Sequence, residues 1–292
     1  MPHVLVKQVS TCVNPVDYKV RSGRAEILPK VLGGDVAGLV EVSKSDKWKK
    51  GDRVFGLTPG FRWDTDEYGS YAEYTASHED WLARVPSTLR LDIAGGVPLV
   101  ALTAFQALED GGIEAGRARV LVHAGAGGVG HFAVQLAKVH WKAFVVATGG
   151  PKNQEFMKEL GADEVVNYRS EDFAEMYKDK PFDLVIDSVG GDVEDRSYTV
   201  LKPTGTYMHI FNTGTDPKKI EAGKAWEGRK YKTTLVTPNG EQLQIISGYM
   251  EQGSVKLVVD KIFSLDEIRE AHDYAEHKLS RGKVVVQISK EG

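Results

Sequence analysis

The residues with the clearest chemical content lie in Val120 to Ala137, VLVHAGAGGVGHFAVQLA. An apolar run leads into Gly125, Gly127 and Gly130 and then into apolar residues at helical spacing, so the glycines sit where a strand turns into a helix. In that setting the first glycine permits a tight turn and the second lets a phosphate approach the backbone. The third lets helix and strand pack closely, with the helix N-terminus facing a pyrophosphate. GxGxxG alone is weak evidence; a strand before it, a helix after it and five further strand signals make it a dinucleotide site rather than a structural turn. About 20 residues on, where an NAD-selective site places an acid on the ribose hydroxyls, the chain reads Thr148, Gly149, Gly150. No carboxylate stands there to repel a 2′-phosphate. Lys152 follows, and the next strand signal ends in Asn167, Tyr168, Arg169. The pattern leans to NADPH, the alternative being that Lys152 is a solvated lysine at a helix start.

These residues need a frame, and the chain supplies two textures. From Met1 to about Leu99 short β-like runs alternate with turn residues: His3 to Val9, Gly38 to Val42, Asp52 to Phe55, Ser70 to Thr75. From about Ala101 the signals alternate between strand and helix. Strands are expected at Arg119 to His123, Ala143 to Ala147, Glu164 to Asn167, Phe182 to Asp187, Gly205 to His209 and Tyr231 to Val236. Helices are expected at Leu102 to Leu108, Val129 to His140, Asn153 to Leu160 and Asp192 to Leu201. This is a βαβ series, and six strands is the doubly wound number. A helix from Gln242 to Gln252, a strand at Val255 to Phe263, a helix opening at Ser264 and a strand at Lys283 to Ile288 then return to the first domain. The domains expected are 1–100 with 242–292, and 101–241, with a ligand cleft between them.

Composition narrows the field. With 292 residues, 41% hydrophobic and 27% charged, the chain reads as an ordinary soluble protein of about two domains. The net charge of −4 and the lack of a basic run argue against a nucleic-acid partner. Cys12 is the single cysteine, which rules out an internal disulfide and any multi-cysteine metal site. No export signal and no spanning segment are evident, so a cytoplasmic location is expected.

In these motifs the chain resembles the zinc-independent quinone oxidoreductases of the medium-chain dehydrogenase/reductase superfamily, and within them the plant-type chloroplast envelope quinone oxidoreductase homologues. The likeness runs through VNPVDYKVRSG (Val13 to Gly23), GGDVAG (Gly33 to Gly38), GDRVFG (Gly51 to Gly56), YGSYAEY (Tyr68 to Tyr74), VPLVALTAFQAL (Val97 to Leu108), AGAGGVG, LGADEVVNYR (Leu160 to Arg169), FDLVIDSVGG (Phe182 to Gly191) and GKVVVQI. It implies an α/β fold, with a GroES-like β-barrel domain beside a Rossmann doubly wound parallel sheet, and NADPH in the cleft. Relatives carry about one further strand pair ahead of His3 to Val9. On that count the barrel is N-terminally truncated and is expected to show an unpaired edge. Carried over by position, Ala126, Gly127, Gly128 and Val129 hold the pyrophosphate. Thr148, Lys152 and Tyr168 take the adenosine phosphate end, Ser188 and Val189 the nicotinamide side, and Gly282 and Lys283 close the site. Asn14 and Tyr18 line the substrate end. Zinc-dependent relatives begin their ligand set with a cysteine where this chain has Asn14, and Cys12 reads as a small core residue.

The implied reaction is hydride transfer from NADPH to the C=C bond of α,β-unsaturated carbonyls, enones and γ-ketols, or to a quinone. An enone also needs its carbonyl polarised and a proton delivered, for which Asn14, through its amide, and Tyr18, through its hydroxyl, are the candidates. Asp17 beside Lys19 ranks below them, as a loop-orienting pair. The loop Pro59 to Tyr68 reads as a lid or selectivity wall, or else as a surface excursion. His123 and His131 read as packing or capping residues. A second class of function is a NADPH-binding protein without turnover, either crystallin-like or RNA-binding, and the net charge disfavours the RNA-binding form. The resemblance also suggests a homodimer built through the Rossmann domain, and leaves peripheral membrane association and a plastid envelope or stroma location as alternatives.

Overall fold

The computed structural model describes residues 3–24, 29–65, 67–210, 228–277 and 280–290. The chain divides into two units, one of Met1–Leu102 with Thr237–Gly292 and one of Thr103–Val236.

The first unit is built on one sheet. Its strands are β1 (His3–Val13), β2 (Asp35–Ser43), β3 (Arg53–Leu57), β4 (Tyr74–His78), β5 (Leu82–Arg84), β12 (Val259–Ser264) and β13 (Lys283–Gln287). They run in the order β12-β13-β1-β2-β3-β5, with β4 on β1. The first half of β1 alternates, burying Val4 and Val6 against Val36, Val40, Val54 and Trp48. Its second half is buried on both faces although it carries Gln8, Ser10 and Thr11. Those polar groups are satisfied: Gln8 Nε2 donates to Ser70 O at 2.9 Å, Ser10 Oγ to Leu91 O at 2.6 Å and Thr11 Oγ1 to Asp35 O at 2.8 Å. The open edge expected at the start of the barrel is not on β1, which pairs with β2 along one edge and with β4 and then β13 along the other.

Two helices of five residues or fewer, α1 (Pro15–Lys19) and α2 (Leu91–Ala94), interrupt this unit before α3 (Pro98–Asp110). The returning segment adds α8 (Gly240–Glu251) and α9 (Ile268–Glu276). Ser264, expected to open a helix, forms a capping box with Glu267 over a short 3₁₀ turn that runs into α9. Several expected boundaries move: β1 runs on to Val13, β2 begins at Asp35, α3 covers Pro98–Asp110, and the strand expected from Gly205 begins at Leu201. Ser70 and Tyr71 are not in a strand, because their N–H groups bond to Gly33 O and Leu32 O of a facing loop, and pairing with β1 begins only at Tyr74. The strand expected from Val255 starts at Val259, where pairing with β13 begins.

The second unit carries β6 (Arg119–Val122), β7 (Phe144–Gly149), β8 (Glu164–Asn167), β9 (Phe182–Asp187), β10 (Leu201–Ile210) and β11 (Lys230–Thr234). All pairings are parallel, in the order β11-β10-β9-β6-β7-β8. Read from β8 this is the 3-2-1-4-5-6 order of a doubly wound sheet, with its switch point between β6 and β9. The crossover helices include α4 (Gly128–Val139), α5 (Gln154–Glu159), α6 (Phe173–Tyr177) and α7 (Asp192–Thr199). The central strands are apolar on both faces, as a sheet covered on both sides requires. Leu121, Val146 and Val185 anchor a cluster with Phe173, Phe182 and Tyr207. Leu121→Ala is expected to cost about 2–5 kcal/mol, read as a lowered urea midpoint with an unchanged slope.

Candidate active site

The edge of the second unit expected to take the nucleotide is shaped by how closely helix α4 approaches the end of strand β6. A Cβ at Gly130 would sit 2.1 Å from Ala124 O, and one at Gly125 would sit 2.8 Å from Ala147 Cβ and 3.1 Å from Met157 Sδ. Both glycines are therefore demanded by packing within the protein. Gly127 differs: a Cβ there would meet only Ala124 O, at 3.2 Å. It caps α4, whose first turn holds the partly exposed Gly128 and Val129. The first amides of a helix have no intrahelical partner, and with only one atom near Gly127 this helix N-terminus fits a pyrophosphate.

The other residues expected at the nucleotide follow the carboxyl ends of neighbouring strands. Gly149 ends β7, and Gly150, just after it, lies beside the Tyr168 hydroxyl, 3.6 Å from where its Cβ would stand. Tyr168 is exposed and its N–H bonds Gly149 O at 3.3 Å, so the segments carrying Lys152 and Tyr168 are brought together. Thr148 is turned inward. Ser197 Oγ donates to Val193 O at 2.6 Å, so His123 Nε2–H donates to Ser197 Oγ at 2.9 Å and His123 Nδ1 accepts from Thr148 Oγ1 at 3.1 Å. Burial pushes His123 down to about 4, which keeps the ring neutral in that tautomer. Thr148 thus meets a ligand through its backbone at most. His131, on α4, bonds Gly127 O at 2.9 Å through Nδ1.

After β9, the loop bearing Ser188 and Val189 is shaped by Asp187. Its Oδ1 accepts the N–H of Val189 at 2.6 Å and of Gly190 at 3.1 Å, and its Oδ2 accepts the Tyr207 hydroxyl at 2.5 Å. Val189 is left exposed. Asp187 was not singled out in the sequence, although an acid ending an apolar strand before SVGG is a legible signal.

In the barrel unit, Asn14, Lys283 and Asp35 form one buried cluster. Asn14 Nδ2 donates to Asp35 Oδ2 at 2.6 Å, and Lys283 Nζ donates to Asn14 Oδ1 at 2.7 Å and to Val13 O at 3.0 Å. Asp35 also accepts the Cys12 thiol at 3.1 Å and the Leu99 N–H at 2.6 Å. Burial raises Asp35, and the charge of Lys283 opposes that rise. The Asn14 amide is therefore engaged at both ends and fully buried. Gly282, at φ +74°, makes the turn into β13: a Cβ would stand 2.2 Å from Val258 O. Lys283, expected at the cofactor, points its amine into this cluster.

Asp17, ranked low from sequence, is 1% exposed and central. Its Oδ2 accepts the Asn14 N–H at 2.7 Å and the Tyr71 hydroxyl at 3.0 Å, while Oδ1 has no partner. Tyr71 Oη lies 3.2 Å from His272 Nε2. Burial pushes Asp17 up to about 7, and burial pushes His272 down to about 4. Tyr18, buried with Val13, Phe263 and Val284, has its hydroxyl raised by burial and then by Glu276. In the loop Pro59 to Tyr68, all but Asp66 lies within the described residues; Phe61 is buried and Arg62 pairs with Asp64 at 2.6 Å.

Comparison with known proteins places the chain. Residues 160–286 match the family described as zinc-binding dehydrogenase, and residues 2–87 match the alcohol dehydrogenase GroES-like domain. The 2-methylene-furan-3-one reductase of Solanum lycopersicum is 38% identical over 293 residues, covering 97% of this chain and 71% of that protein. The chloroplastic NADPH-dependent alkenal/one oxidoreductase of Arabidopsis thaliana is 36% identical over 293 residues, with the same 97% and 71% coverage. The structure of the quinone oxidoreductase from Coxiella burnetii matches with a TM-score of 0.88 at 34% identity, over 98% of this chain and 90% of that one. The zinc in the family description does not fit these residues. Among the described residues no three His, Cys, Asp or Glu side chains converge to hold a metal ion.

Two outcomes follow from the buried charges. Lys283→Met leaves Asp35 without its countercharge and is expected to cost about 3–5 kcal/mol in denaturant unfolding. Asp17 is raised from 3.8 to about 7, so the folded state binds more protons than the unfolded one between those values, and stability falls as pH rises through them. His123 and His272, lowered from 6.5 to about 4, act in the opposite sense over that lower interval. Subtracting Asp17→Asn from the wild type isolates the acid. Between pH 5 and 8 the difference is expected to shift in favour of the variant by about 3 kcal/mol, measured by urea unfolding at each pH.

Proposed function

This chain belongs to the quinone- and alkenal-oxidoreductase branch of the medium-chain dehydrogenase/reductase superfamily, and from that membership we propose that it is an NADPH-dependent oxidoreductase transferring a hydride to α,β-unsaturated carbonyls or quinones. The observation that carries this is the Gly127 cradle, followed along the same edge by Gly149, Gly150 and Lys152 where an NAD site would place an acid. Enone reduction is the preferred reaction, because the two curated relatives described above are a methylene-furanone reductase and an alkenal/one oxidoreductase. That would place the enzyme among those acting on a carbon–carbon double bond.

When bound, NADPH supplies the hydride, and the protein's work is to bind, orient and protonate. The amides of Gly127, Gly128 and Val129, with Ala126 behind them, would face the pyrophosphate, and Lys152 and Tyr168 the 2′-phosphate. The Ser188–Val189 loop, held by Asp187, would border the nicotinamide. At the acceptor, hydride addition to the β-carbon leaves negative charge on the carbonyl oxygen, and a hydroxyl there stabilises it and gives a proton. Tyr18, which the family likeness carries to the substrate end, is that donor in this account, its ring held in the cluster of Val13, Phe263 and Val284. Asn14 positions the start of α1 through Asp35, Asp17 and Lys283. No described helix is long and apolar enough to cross a membrane.

The test follows NADPH absorbance with purified protein against short enones, γ-ketols and small quinones, with NADH in parallel. Turnover of enones with NADPH is expected; binding of NADPH without turnover of any acceptor would overturn the proposal. Lys152→Ala is expected to raise KM for NADPH about tenfold and leave KM for NADH unchanged. Tyr18→Phe is expected to lower kcat for enones about 10²-fold while quinone turnover, whose protons come from solvent, changes little.

A further inference from the structure

The barrel unit contains a cavity of about 300 Å³ that the proposed reaction does not use. Its apolar lining comes from Val31, Leu32 and Ile268, and Tyr71 and His272 complete it. Both of those polar side chains are bonded inward. Tyr71 Oη is engaged with Asp17 Oδ2 at 3.0 Å and His272 Nε2 at 3.2 Å, with the two rings edge to face at 5.7 Å between centroids. The remaining nitrogen of His272, Nδ1, is buried and has no partner. The rings therefore offer a ligand carbon rather than hydrogen-bonding groups, in a wall fixed before any ligand arrives.

The cavity's charge comes from Arg21 and Arg269. Arg21 is bonded to Glu276 at 2.7 Å, whereas Arg269 enters no ion pair among the described residues. An apolar space with an unmatched guanidinium selects by chemistry. A sugar or nucleotide would bury hydroxyls without partners against these walls. A planar carboxylate would pair with the guanidinium fork while its hydrocarbon body covers the apolar lining. A volume near the lower end of ligand pockets suits a short ligand.

We propose that this cavity binds a medium-chain monocarboxylate, with the alkyl chain against Val31, Leu32 and Ile268 and the carboxylate on Arg269. The site does not depend on the oxidoreductase assignment, since it calls on neither cofactor nor acceptor. The experiment is calorimetric titration of the full chain with octanoate and with 1-octanol. Octanoate is expected to bind saturably at one site, and octanol at least about tenfold more weakly. Arg269→Gln, at an exposed position, should reduce octanoate affinity to that of octanol. Ile268→Trp, which fills the cavity, should abolish binding of both, with thermal unfolding and NADPH binding as controls of folding. Absence of saturable octanoate binding, equal affinity for octanol, or binding that survives both substitutions would overturn the proposal.

Discussion

The barrel unit depends on one buried contact, the grip of Lys283 and Asp35 on the two ends of the Asn14 amide. It joins residues 269 positions apart in the chain and fixes where β1 stops, where α1 starts and where β13 must lie. The charges make this geometry exclusive. Asp35 is buried and needs the opposing charge of Lys283; without it the carboxylate would stand unpaired in a medium that stabilises charge poorly. Cys12 and the Leu99 N–H fill the remaining acceptor capacity of Asp35, which explains why a small, weakly donating side chain stands at position 12. Asp17, one helical turn beyond Asn14, is the less satisfied acid of the pair, and burial leaves it titrating near neutrality.

The second unit rests on a steric constraint instead. α4 can approach the turn after β6 as it does only because Gly130 lacks a side chain, while Gly125 leaves room for Ala147 of β7 and Met157 of α5; the α4 approach sets its N-terminus at the carboxyl edge of the sheet. Gly127 is the least crowded glycine of the three, a Cβ there meeting only Ala124 O, at 3.2 Å. Asp187 does for the loop after β9 what the glycines do for the loop after β6, using hydrogen bonds in place of absent atoms.

Much of this was legible in the sequence. The strands at Glu164–Asn167 and Phe182–Asp187 fall where the β-rich apolar runs put them, and α4 lies within a residue of its expected bounds, because hydrophobic periodicity and turn residues decide those elements locally. The strand at Tyr74–His78 and the start of β12 were displaced, since each is set by where its partner strand can reach. The site divided in the same way. The glycine edge is a local pattern and could be read from its spacing. The inward turn of Thr148, the full engagement of Asn14 and the central place of Asp17 could not, because each is decided by partners far away in the chain: Ser197 through His123, Lys283, and Tyr71. A polar residue near a motif announces chemistry, but its partners determine whether the group faces a ligand or the core.

The most direct measurement is the fate of the transferred hydrogen. NADPH carrying deuterium at the transferable C4 position would be incubated with the protein and a simple enone, and the product examined by NMR. The account predicts one deuterium on the carbon β to the carbonyl and none on the carbonyl carbon. Deuterium on the carbonyl carbon, or NADPH consumption with no deuterium in the product, would contradict it.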